Sequence, residues 1–106
     1  MPENVKVLTL LDAADATGES GSHTPRGRKA TFQAVGSTTA GAGTATVKVQ
    51  VSNDEEIWLD AASIALTLAT IESSDGFTLD APWKFVRANL TALTGTGAEV
   101  SVFMGS

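Results

Sequence analysis

With 106 residues, seven basic against twelve acidic side chains, one histidine and no cysteine, the chain is long enough to bury one unaided core, and it has neither disulfides nor thiolate metal sites. A formal net charge of −5 argues against an extended nucleic-acid footprint, which is a basic stripe. The opening Met1 to Val7 is too short and too charged for a signal peptide or a membrane span, so the expectation is a soluble protein made in a cytoplasm, with no membrane partner.

A first strand is expected at Val5 to Leu11, where Val7, Leu8, Leu10 and Leu11 form an apolar run dense enough to be covered on more than one side. Ala13 to Gly27 then places Gly18, Gly21, Pro25 and Gly27 among Ser, Thr and Asp. This composition has little to bury and much backbone entropy to lose, so it reads as a long exposed loop, flexible over residues 13–28. Loops of that length without structure of their own tend to be binding segments or mobile arms. The lone His23 lies in it, and Arg26, Arg28 and Lys29 concentrate positive charge just beyond. A local basic spot on an acidic body suits a protein partner.

Alternation resumes at Lys29 to Val35, with Ala30, Phe32 and Ala34 on one side, before a Gly/Thr/Ala connection over Gly36 to Gly43. Ala45, Val47, Val49 and Val51 then alternate with Thr46, Lys48, Gln50 and Ser52, the pattern of a strand with one buried face. Asn53-Asp54 starts a turn, and Ile57, Trp58 and Leu59 restart extended structure. Ala61 to Thr70 has some helical propensity, but Ile64, Leu66 and Leu68 recur at period two, which favours a strand over Ser63 to Leu68. Further strands are read at Gly76 to Leu79, Lys84 to Leu90 and Glu99 to Met104, with turns at Ser73 to Gly76 and Gly95 to Gly97. About seven or eight short strands imply an all-β fold, an antiparallel β-sandwich of jelly-roll-like type, as one domain over 1–106.

No catalytic constellation interrupts these strands. A Ser-His-Asp triad has no rigid home when the single histidine sits in a loop. One histidine without cysteine cannot supply a zinc site. Asp54, Glu55 and Glu56 are consecutive, with Asp60, Asp75 and Asp80 nearby in sequence, but they lack the ligand spacing and central glycine of a calcium loop, so a solvated turn is expected. A glycosidase needs two carboxylates across an aromatic-lined cleft, and the chain has four Phe, two Trp and no Tyr. The expectation is a protein that is not an enzyme and has no cofactor.

The few aromatics point elsewhere. In Lys84 to Leu90 the inward set is Val86, Ala88 and Leu90, which turns Phe85 outward beside Arg87 and Asn89. In Glu99 to Met104 the inward set is Val100, Val102 and Met104, which turns Phe103 outward. If those strands are neighbours, Phe85 and Phe103 form one apolar patch fit for a protein interface. Trp58 and Trp83 each stand at a strand start, where a large ring closes one end of a core or, if exposed, offers a platform for a sugar ring.

Val49-Gln50-Val51-Ser52-Asn53-Asp54 through Trp58, then Asp75-Gly76-Phe77, Ala81-Pro82-Trp83-Lys84-Phe85-Val86-Arg87-Ala88-Asn89-Leu90 and Thr94-Gly95-Thr96-Gly97, resemble a group of small structural proteins of tailed bacteriophages. The likeness extends forward to Arg26 through Gln33 and covers most of the chain. It implies a β-sandwich in the virion, a capsid decoration or cement protein that binds the major capsid protein on the capsid exterior and is made in the host cytoplasm. Such a protein would be a homo-oligomer, a dimer or trimer. The capsid-binding candidates are the arm around His23, Arg26, Arg28 and Lys29, and the self-association candidates are Phe85, Arg87 and Phe103. The alternatives are a carbohydrate-binding sandwich on the virion, or a neck, tail or head-fibre component of the same fold.

Overall fold

Period-two alternation governs the strands because each has one face to bury and one to leave in water. The structure, a computed structural model, describes residues 7–25, 29–80 and 83–105. The strands are β1 (Val7–Ala14), β2 (Gly18–Glu19), β3 (Lys29–Ser37), β4 (Ala40–Ser52), β5 (Leu59–Leu68), β6 (Ser73–Asp80), β7 (Phe85–Thr96) and β8 (Glu99–Gly105). They form two four-stranded sheets, β1-β8-β3-β6 (sheet A) and β2-β7-β4-β5 (sheet B). The antiparallel pairs β4·β5, β3·β6, β2·β7 and β1·β8 are those of one long hairpin rolled up on itself, and β3·β8 and β4·β7 close the roll. This is the jelly roll, an all-β antiparallel sandwich as the alternation implied.

The core lies between the sheets. Phe32 and Ala34 of β3, Val47, Val49 and Val51 of β4, Ile64, Leu66 and Leu68 of β5, Val86, Ala88 and Leu90 of β7, and Val100, Val102 and Met104 of β8 are all buried. Each large side chain among them contributes roughly 1.5–3 kcal/mol by leaving water. Phe32 stacks on Phe77, with ring centroids 5.4 Å apart, and so ties β3 to its neighbour β6 inside the sandwich. Trp83 packs against this core, whereas Trp58 does not belong to it.

Several boundaries differ from the sequence expectation, each for a physical reason. β1 is an edge strand covered on one side, with Val7 67% and Leu8 37% exposed. Its apolar density reflects two register shifts, between Thr9 and Leu11 and between Leu11 and Ala14, that break the alternation. The segment read as a long unstructured loop holds β2, and His23 bridges Val86 through backbone bonds of 2.9 and 2.8 Å. Backbone pairing to β7 supplies what its side chains cannot. The expected connection at 36–43 shrinks around Thr38, whose hydroxyl donates to the Gly41 carbonyl at 2.6 Å. Ser73 to Gly76, read as a turn, lies in β6, where Gly76 meets Gln33 and a Cβ would run into the Phe32 carbonyl. The extended structure expected from Ile57 begins only at Leu59 and runs on into the strand expected at 63–68 as one strand, β5, with an irregularity opposite Val49/Gln50.

Candidate functional site

A row of polar side chains crosses the outer face of sheet B, strand by strand. Glu19 of β2 pairs with the Arg87 guanidinium of β7 at 3.1 Å. Arg87 Nε donates to Gln50 Oε1 of β4 at 2.8 Å, and Gln50 Nε2 donates to Asp60 Oδ1 of β5 at 2.8 Å. Lys48 Nζ completes the row against Asp60 at 3.3 Å. The register produces it, because Gln50 stands directly between Arg87 and Asp60. Hydrogen bonding from Gln50, and then from Lys48, holds the Asp60 carboxyl below its ordinary value.

Trp58 joins this row from the turn before β5, its ring 4.2 Å below the Arg87 guanidinium. The stacking leaves the guanidinium edge free for Glu19 and Gln50, which are its in-plane partners. The turn itself is tightly bonded. Ser52 Oγ accepts from the Glu55 amide at 3.0 Å, and Asp54 Oδ1 accepts from the amides of Glu56 at 2.9 Å and Ile57 at 3.0 Å. These backbone donors, foremost Glu56, depress the Asp54 pKa. The Ser22 hydroxyl donates to the Glu55 carboxylate, and the Lys84 amide donates to Asn53 Oδ1 at 3.1 Å, which anchors the turn to the β2 edge and to the start of β7. Asp54 thus serves its own turn. Among the described residues no group of three or more His, Cys, Asp or Glu side chains could hold a metal ion.

The outer face of sheet A is built differently. Phe103 stands half-buried between two shallow hollows of about 410 and 290 Å³. Val35, Ser37, Ser101, Glu72 and Glu99 line the larger, and Val7, Thr31 and Gln33 line the smaller.

The expected grouping of Phe85 and Phe103 on neighbouring strands is therefore corrected. Both side chains do turn away from the core as alternation implied, but β7 lies in sheet B and β8 in sheet A, so the two rings sit on opposite outer faces. Phe85 instead has the Lys84 ammonium 5.6 Å from its ring centroid, and Arg87 is engaged within its own sheet. Of the arm residues, half-buried His23 is fixed to β7 by its backbone. The backbone of Lys29 pairs with Asp80 at the head of β3, and Arg26 and Arg28 lie outside the described residues. The stacked Trp58–Arg87 pair and the polar row were missed by the sequence reading. Alternation placed Gln50 and Arg87 on outward positions, but only the register between β4 and β7 brings them together.

No family model and no curated protein matches the chain. Among solved structures, the fold is similar to the SPBc2 prophage-derived protein YomS, with a TM-score of 0.61 and 15% identity over 97% of this chain and 94% of that one. The PBSX exported protein XepA gives a TM-score of 0.51 at 11% identity over 95% of this chain, which spans about a third of it, 36%. A CBM4 chain gives 0.51 at 13% identity, over 99% of this chain and 68% of that chain. At these identities the likeness is one of fold.

Proposed function

We propose that this protein is a structural component of a tailed-bacteriophage virion that binds the outside of the capsid and stabilises the shell without catalysis. The observation that carries the reading is the end-to-end overlap of this single jelly roll with a prophage-derived protein of nearly equal extent. The phage-like segments Val49 to Trp58 and Trp83 to Leu90 support it, since they build the bonded turn and the β7 strand at the centre of the polar row. A decoration protein needs a rigid body, a docking surface and many symmetric sites, so that modest interfaces add up by avidity. The partner is the major capsid protein. Arg26, Arg28 and Lys29, with His23 at the edge of sheet B, are the residues proposed to meet acidic capsid side chains.

The test is to incubate the purified protein with heads of the source phage and count bound copies after sedimentation. Saturable binding at high copy number supports decoration, and Arg26→Ala with Arg28→Ala should lower the occupancy. Binding confined to a few copies per particle would move the protein to the neck, tail or head fibre, and absence of binding to any particle would end the reading. A second reading, a glycan-binding module on the virion, is favoured by the position of Trp58 on an outer face and by the overlap with the CBM4 chain. It requires that glycans quench or shift tryptophan emission and that Trp58→Ala abolish the response.

A further inference from the structure

Four strands end the two sheets, and three of them carry features that block pairing with another chain. β1 is broken by two register shifts and carries Asp12, β2 has two residues, and β6 carries Asp75 with Glu72 at its entrance. Bulges, shortness and charge are the usual guards of a sheet edge. β5 confines its irregularity and its one charged residue, Asp60, to its first residues. From Ala61 to its end at Leu68, and on through the connection to Ile71, there is no charged residue, no proline and no glycine, and among the described residues β5 pairs with β4 on one side only. On a body of net charge −5, this is the edge at which two copies can meet without setting like charges opposite each other.

We propose that β5 pairs with β5 of a second copy, antiparallel about a two-fold axis at Ala65, joining two B sheets into one continuous sheet. Antiparallel pairing of identical strands is two-fold by construction, so the contact closes as a dimer. The centre follows from the strand itself, because the irregularity opposite Val49/Gln50 leaves Ala62 to Leu68 as the uninterrupted run, whose midpoint is Ala65. In that register Ser63 faces Thr67 and Ala65 faces itself. All three are exposed and small enough for strands to approach. Leu59 and Ile71, 51% and 80% exposed, flank the run at opposite ends, so each copy brings its Leu59 end to the Ile71 end of its partner. The Thr67 carbonyl accepts from the Ser73 hydroxyl at 2.8 Å and keeps a second lone pair. Pairing at this edge does not depend on capsid binding, because it involves β5 alone.

The chain has no cysteine, so single substitutions report the register cleanly. Sedimentation velocity of the full chain should give a dimer that persists at high salt, and Ala65→Lys should shift it to monomer with an unchanged circular dichroism spectrum. Under mild oxidation Ala65→Cys should give a covalent dimer. Ser63→Cys or Thr67→Cys alone should stay monomeric on a denaturing gel, while an equimolar mixture of the two should cross-link. A monomer at all concentrations, a dimer dissolved by salt, or equal cross-linking at all three positions would overturn the proposal.

Discussion

The two outer faces of the sandwich have the same strand geometry and differ in how their side chains are bonded to one another. On sheet B, Glu19, Arg87, Gln50, Asp60 and Lys48 link all four strands laterally, and Trp58 seats the central guanidinium. On sheet A, Phe103 stands between two hollows, and among the described residues the side-chain links are sparser, such as Ser101 Oγ accepting from the Ala13 amide at 2.9 Å. A face whose polar groups already satisfy one another must break those bonds to admit a partner, which costs the desolvation of each group released. A face with an aromatic anchor and fewer such bonds has less to break. Sheet B is thus braced and sheet A available, although both come from strands with the same alternation.

The comparison presumes a common core, and the largest effect is expected there. Phe32→Ala removes a buried ring stacked between β3 and β6 and should cost about 3–5 kcal/mol in urea unfolding, loosening both faces together. Arg87→Ala comes next. It removes the hub of the sheet B row, losing one ion pair, one charge-assisted bond and the stacking on Trp58, for about 1–3 kcal/mol, with a change in Trp58 emission. Phe103→Ala should cost about 1 kcal/mol, since a half-exposed ring regains only part of its transfer energy. Equal losses for Arg87→Ala and Phe103→Ala would remove the distinction between a braced and an open face.

How much of this could be read from the chain depends on the range over which each signal acts. Alternation is local, so the inward sets of β4, β7 and β8, Val47 to Val51, Val86 to Leu90 and Val100 to Met104, were legible and are buried as read. The outward turn of Phe85, Arg87 and Phe103 was legible for the same reason. Which sheet each strand joins depends on long-range pairing, and consecutive strands invite the assumption that they are neighbours. β7 and β8 are consecutive yet lie in different sheets, which is why one patch became two half-buried rings on opposite faces. Composition misled wherever backbone pairing replaced side-chain burial, as at β2 and His23, and wherever turn-type residues sat in a strand, as at Ser73 to Gly76.

The smallest expected effect sharpens the comparison through pH. Asp54 and Asp60 both lie on the sheet B side, and both have pKa values lowered from the ordinary 3.8, Asp54 by the amides of Glu56 and Ile57 and Asp60 by Gln50 and Lys48. For a depressed carboxyl the unfolded chain takes up the proton first. The stabilisation is therefore present above the ordinary value and is lost as pH falls through the lower, folded one. Acidification from about pH 5 to about pH 2 should first loosen the β4–β5 turn and the end of the polar row while the sheet A pairing persists. The Glu56 and Ile57 amide proton resonances, which report the bonds to Asp54, should titrate with a midpoint below 3.8, whereas amides of β3 paired with β8 stay fixed over the same range. A midpoint at or above the ordinary value, or simultaneous movement in both sheets, would mean that the bonds of the turn do not persist in solution and that sheet B is no more braced than sheet A.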